Sequence, residues 1–151
     1  MLFFNCAAHC NGQRKGNRFM QIKISDATEI QLDWLLARYK GFGDGTYMRN
    51  IDLRYNVDGK VSCMLVPIDR EYVQWDPSTS QEQGGRFIDE EFIATQPTWD
   101  GEHAGWEARS PKRNGHYFAV MSGKTRLVAA ARAIIASRVG NVVDVPDVLC
   151  L

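Results

Sequence analysis

The chain has 151 residues, 44% hydrophobic and 24% charged, a globular profile with enough apolar material for a core, which excludes disorder throughout. Lys+Arg and Asp+Glu both number 18, so no overall field draws the protein onto nucleic acid or an anionic membrane. No stretch reaches the roughly 18 apolar residues of a membrane span, so a cytoplasmic location is expected. The cysteines, Cys6, Cys10, Cys63 and Cys150, lack the spacing of a disulfide framework and are expected as thiols.

Residues 1–19 turn polar and basic after Phe4 and carry no apolar periodicity, which predicts a flexible leader ahead of a single domain over 20–151. Gln21 to Ile24 alternates as a strand does. Asp26 followed by Glu29 predicts a capping box, opening a helix over about 27–40 that stops at Gly41. Its apolar residues, Ile30, Trp34 and Ala37 widened by Leu35, Leu36 and Tyr39, make it an amphipathic core helix. Gly43, Asp44 and Gly45 signal a loop, and Ile51 to Tyr55 a strand that turns at Asn56 to Gly59. Val61 to Ile68 is the next strand, ended or held to an edge by Pro67.

Trp75 to Ser80 reads as a loop and Gln81 to Glu91 admits a short helix, weakened by Gly84 and Gly85. Trp106 to Arg109 and His116 to Met121 predict an antiparallel pair around Pro111, Asn114 and Gly115. The last helix is capped by Ser122, presents Leu127, Val128, Ala131, Ile134 and Ile135 on one face, and ends at Gly140. Val142 to Pro146 follows as an extended tail. The sum is an α+β fold, a small antiparallel sheet packed against an N-terminal and a C-terminal amphipathic helix.

Certain strings carry a resemblance: Met20 to Ser25 with Leu32, Asp33 and Trp34; Pro77, Ser78 and Thr79 with Gln83, Gly84, Gly85 and Ile88; and Trp106 to Ala108. Leu127 to Ala130, Arg132, Ala136 to Gly140 and Val143 to Pro146 complete it. Together they resemble the NinX family, small proteins of unknown function from bacteriophages and prophages, over roughly residues 20–149. The family usually has Trp and Pro around the Gln-Gly-Gly string, where this chain has Gln81 and Arg86.

Among candidate sites, the segment from Pro77 to Gly85 combines glycines that allow close backbone approach with Ser78, Thr79 and Gln83 as hydrogen-bonding groups. The competing reading is a structural loop in which Gly84 supplies a positive φ. Gly123-Lys124-Thr125 resembles the end of a phosphate-binding loop but lacks the earlier glycine, Phe118 standing there; a helix start with a lysine can still hold an anion. The basic residues of the last helix spread around it, which disfavours nucleic-acid binding. Arg138 falls on the apolar side, where its head can meet an acidic partner or helix-end carbonyls, and Arg132 at the margin can reach a bound anion. Cys6, His9 and Cys10 fall short of a four-ligand zinc site, and neither metal nor cofactor is expected.

The resemblance, more than any residue, motivates the leading expectation: a non-enzymatic phage accessory protein that sequesters a host-derived, nucleotide-like ligand to counter host defence. Ser78, Thr79, Gln83, Gly84, Gly85 and Arg132 would cradle it, Trp75 or Trp106 would stack on a ring, and a homo-oligomer would complete the pocket. One alternative is an interaction module that blocks a host protein through an apolar patch. Another is a metal-dependent phosphodiester hydrolase using Asp89, Glu90, Glu91 or His116.

Overall fold

The computed structural model describes residues 18–39, 48–67, 72–112, 115 and 117–150. Along them run β1 (Phe19–Lys23), α1 (Glu29–Tyr39), β2 (Met48–Tyr55), β3 (Val61–Pro67), β4 (Val73–Gln74) and α2 (Gln81–Glu90). Then come β5 (Ala94–Trp99), β6 (Ala104–Arg109), β7 (Val120–Gly123), α3 (Arg126–Val139) and β8 (Val142–Pro146). A 3-10 turn at Ile24–Asp26 precedes α1, and another at Asp147–Cys150 follows β8.

The α+β class and antiparallel pairing hold, but the strands form three ladders where one sheet was expected: β1 with β8, β2-β3-β4, and β5-β6-β7. The reason lies in β8, which returns to pair with β1 from Phe19↔Pro146 to Lys23↔Val142 instead of extending the β7 edge. A groove of about 400 Å³ lies between Phe118 to Met121 and the Lys23, Ser25, Asn141 and Val142 group. Phe118, Val120 and Val142 leave apolar surface exposed around it. Phe19, assigned to the leader by sequence, is the first residue of β1; the rest of that leader up to residue 17, with Cys6, His9 and Cys10, lies outside the described residues, as do Gly41 to Gly45, Asn114 and His116.

The helices are more buried than amphipathic patterning predicts. In α1 every residue from Gln31 to Ala37 is buried, including Gln31 and Asp33. Polar groups inside must be paired, and Gln31 is: its Oε1 accepts from the Thr28 N–H at 2.9 Å and its Nε2 donates to the Leu149 carbonyl at 2.9 Å. The capping signal therefore sits two residues past the expected Asp26 and Glu29, on Thr28 and Gln31, because Asp26 is taken into the 3-10 turn. Similarly, α3 is capped by Thr125, whose side chain accepts from the Val128 N–H, since Ser122 belongs to β7.

Five alanines in α3, at 129, 130, 131, 133 and 136, are buried and let other elements approach closely. Packed on this helix are α1, α2 and the β5-β6-β7 ladder. Gly123 is part of that closeness: a Cβ there would come within 2.5 Å of the Ala129 amide nitrogen. At the helix end Gly140 takes φ 86°, a left-handed turn suited to glycine.

Two arginines of α3 bind the ends of α1. Arg132 donates to the Ala27 carbonyl before α1 at 3.0 Å and to the Ser122 carbonyl at 2.7 Å. Arg138 donates to the Tyr39 carbonyl at the last residue of α1 (2.8 Å) and to Glu91 Oε1 (2.9 Å). The sequence expectation for Arg138 is met, with the helix-end carbonyl supplied by another helix. Beside this clamp, Arg38 lies over the Trp34 ring at 5.1 Å, and Phe19 of β1 sits 6.4 Å from that ring.

Replacing Arg138 with alanine is expected to cost ~2–3 kcal/mol, below the fully buried limit because the Arg138 and Glu91 side chains keep 24% and 11% exposure. Arg138→Lys should recover less than half of this, a point charge serving two acceptors poorly. Urea denaturation measures both, and an alanine loss under ~0.5 kcal/mol contradicts the clamp.

Candidate functional site

The segment from Trp75 to Gly85 is built into the fold, and its polar groups bond within the protein. The Trp75 indole, 6% exposed, donates from Nε1 to the Asp33 carbonyl at 2.8 Å and lies 5.5 Å from the Phe87 ring. Ser78, 1% exposed, donates its N–H to Asp33 Oδ1 at 2.8 Å and its hydroxyl to the Glu29 carbonyl at 3.3 Å. Thr79 Oγ1 donates to the Asp76 carbonyl. Gln83 accepts from the Asp76 N–H and donates to the Gln74 carbonyl, so its side chain closes the turn ahead of α2.

The glycines serve packing. Gly84 has no positive φ; a Cβ there would run into the Pro77 carbonyl and meet Leu127 of α3, so its lack of a side chain lets α2 seat against α3. At Gly85 the neighbour is the flexible Gln81 side chain. Ser80 caps α2 by accepting from the Gln83 N–H.

Asp33 ties this segment to α1 through both its backbone carbonyl and its carboxyl. Burial pushes that carboxyl up to about 7 despite the Ser78 hydrogen bonds, with Asp76 and Glu29 adding repulsion.

A different place brings part of the expected set together. The β5-β6 hairpin, the β7-α3 junction and Arg132 enclose a cleft of about 360 Å³. Trp106 and Arg132 line it; Trp75, Ser78, Thr79, Gln83, Gly84 and Gly85 do not. Trp106 pairs with Pro97 and with Gly123, and Trp99, one diagonal step along the same face, is 68% exposed at the hairpin end. The hairpin tip is tied by Asp100, whose Oδ1 accepts from the N–H groups of Glu102 (2.9 Å) and His103 (2.7 Å), with Gly101 at φ 99°. Those backbone bonds, that of His103 first, hold the Asp100 carboxyl below its usual range. An Asp-Gly pair between extended runs is a hairpin signal present in the sequence, and reading it would have found both β5 and Trp99.

Gly123, Lys124 and Arg132 line the same cleft, with the hydroxyl residues Ser122 and Thr98. Lys124 Nζ stands 2.5 Å from Glu29 Oε1, and this contact holds the Glu29 carboxyl below its ordinary value. Burial lowers Arg132 from the usual guanidinium value, partly opposed by Asp26 and Glu29. The cleft thus brings two indoles together with two cationic side chains.

The carboxylates considered for hydrolysis do not gather. Glu91 is buried against Arg138 and Glu90 pairs with Arg86 at 2.6 Å. Among the described residues no group of three or more His, Cys, Asp or Glu is placed to share a metal ion. No helix among them is long and apolar enough to cross a membrane.

The Asp33 arrangement has a measurable pH signature. With its folded value raised from 3.8 to about 7, the stabilising contribution is fully present below about pH 4 and is lost as pH rises through about 7. The swing has a ceiling of ~4 kcal/mol. Asp33→Asn is expected to remove this slope in urea midpoints taken between about pH 4 and 8; equal slopes in the two proteins contradict the assignment.

The chain matches no curated protein. It does match a protein family, described as bacteriophage P22 NinX, over residues 23–138, a span that includes every residue of the cleft and of the Trp75 to Gly85 segment. The chain belongs to the bacteriophage P22 NinX family.

Proposed function

We propose that this protein is a binding protein whose hairpin cleft takes an anionic, ring-bearing small molecule of nucleotide type, and that it withdraws a host-derived ligand of this kind from a defence pathway. One observation carries the reading: Trp99 and Trp106 share a single concavity with Lys124 and Arg132. Stacking on an indole is insensitive to ring substituents and is worth ~1–3 kcal/mol per base. Lysine and arginine supply the charge-assisted hydrogen bonds that a phosphate needs. At about 360 Å³ the cleft falls within the ~300–1,000 Å³ of small-molecule sites.

Membership of a phage family supports the biological side, since a phage gains from removing a host signal without turning it over. The Trp75 to Gly85 segment, once expected to cradle the ligand, supports the site at one remove: Ser78 holds the Glu29 backbone, and Glu29 reaches Lys124.

Protein purified from phage-infected cells and denatured is expected to release a small anionic compound detectable by mass spectrometry. Trp99→Ala, at a residue 68% exposed and therefore safe for the fold, should weaken nucleotide binding at least ~10-fold in calorimetry. The absence of both a released compound and measurable heat with any nucleotide would sink the reading.

A further inference from the structure

We propose that Glu29 is a resident anion that sets the charge its competitor must carry: a terminal group with two negative charges, such as a phosphate monoester, displaces it from Lys124, and a singly charged group does not. This rests on the cleft being the ligand site. The two cations of the cleft are not equivalent. Arg132 spends both terminal nitrogens on the Ala27 and Ser122 carbonyls, so its position is fixed by the backbone. Lys124 is 70% exposed, and its ammonium has three donors, with Glu29 as its ion-pair partner at 2.5 Å.

Formal charge then decides which ligands gain. Lys124 and Arg132 line the cleft with Asp100, and Glu29, paired with Lys124 from outside the lining, brings the formal charge of these four to zero. A ligand with one charge exchanges one carboxylate-like contact for another and gains little beyond stacking. A phosphate monoester brings about −1.5 to −2 at neutral pH and draws on both cations, while a phosphodiester brings one charge. Glu29 can give way at small cost. Its backbone carbonyl is held by the Ser78 hydroxyl, its side chain is 35% exposed, and it lies in the first turn of α1, where a carboxylate turned to solvent still meets favourable backbone dipoles. The Glu29 carboxyl, held below its ordinary value by Lys124, competes as a full charge at neutral pH.

The test is calorimetry of the full chain with the four common ribonucleoside 5′-monophosphates and their 3′,5′-cyclic counterparts. The wild type is expected to bind at least one monophosphate ~10-fold or more tighter than its cyclic form, about 1.4 kcal/mol. Glu29→Gln should tighten the monophosphate by ~3-fold or more, since it no longer spends energy on displacing the carboxylate, and the cyclic form by no more than that. Lys124→Gln, at an exposed position, should abolish the discrimination by weakening the monophosphate, and it serves if Glu29→Gln does not fold. Equal wild-type affinity for both forms, a monophosphate affinity unchanged in Glu29→Gln, or a gap unchanged in Lys124→Gln, overturns the role of Glu29 while leaving the cleft as a binding site. Binding of neither form to any of the three proteins overturns the cleft itself.

Discussion

Both ends of α1 are held by arginines of α3, and most of the molecule's arrangement follows from that clamp. The C-terminal end of a helix carries carbonyls without intrahelical partners. Arg138 answers the one at Tyr39, and Arg132 answers the Ala27 carbonyl just ahead of the helix. A lysine could not do the same, since the fork of a guanidinium is what reaches two acceptors at once. With α1 fixed, Asp33 is placed to accept from Trp75 and Ser78, Gln31 to donate to the Leu149 carbonyl, and Glu29 to meet Lys124. The alanines of α3 make the clamp possible by letting α1 come near enough for the arginines to span the gap.

The same packing shapes the cleft. Gly123 lacks the side chain that would hold α3 away from β7, so Lys124 and Arg132 come down beside Trp106 of the neighbouring strand. Arg132 therefore works in two places: it fastens β7 to the approach of α1, and it lines the cleft. Its substitution would mix stability with binding, whereas Lys124 and Trp99, both mostly exposed, report on the cleft alone. A rigid tip, tied by Asp100, keeps Trp99 in position without help from a ligand.

Much of the fold was legible. Gly140 as the stop of α3, the turn from Asn56 to Gly59 and the pairing of β6 with β7 all follow from local signals that the tertiary structure leaves in force. Caps were less so: Thr28 and Thr125 won over Asp26 and Ser122 because neighbouring elements claimed the latter pair, and no local pattern shows that. The division into three ladders depends on β8 returning to β1, a contact between chain ends with no short-range signature. Of the residues that line the proposed cleft, Arg132 and Trp106 stand out in the sequence as well. The loop residues read two ways in sequence, because serine, glutamine and glycine are used equally for ligands and for tight internal joints, and here their polar groups bond within the protein. Trp99 escaped notice although its Asp-Gly turn was in plain sight.

The central claim is that ligand enters between the hairpin and α3 and leaves the Trp75 joint undisturbed. The four tryptophans, Trp34, Trp75, Trp99 and Trp106, give a direct readout through their indole N–H signals in a nitrogen-15 correlation spectrum. Titration with a nucleotide 5′-monophosphate should move the Trp99 and Trp106 signals and leave Trp34 and Trp75 in place, these last two being buried at 5% and 6% exposure. Movement of Trp75 together with the Ser78 and Gly84 amides, with Trp99 and Trp106 unmoved, would contradict the account and return the site to the loop.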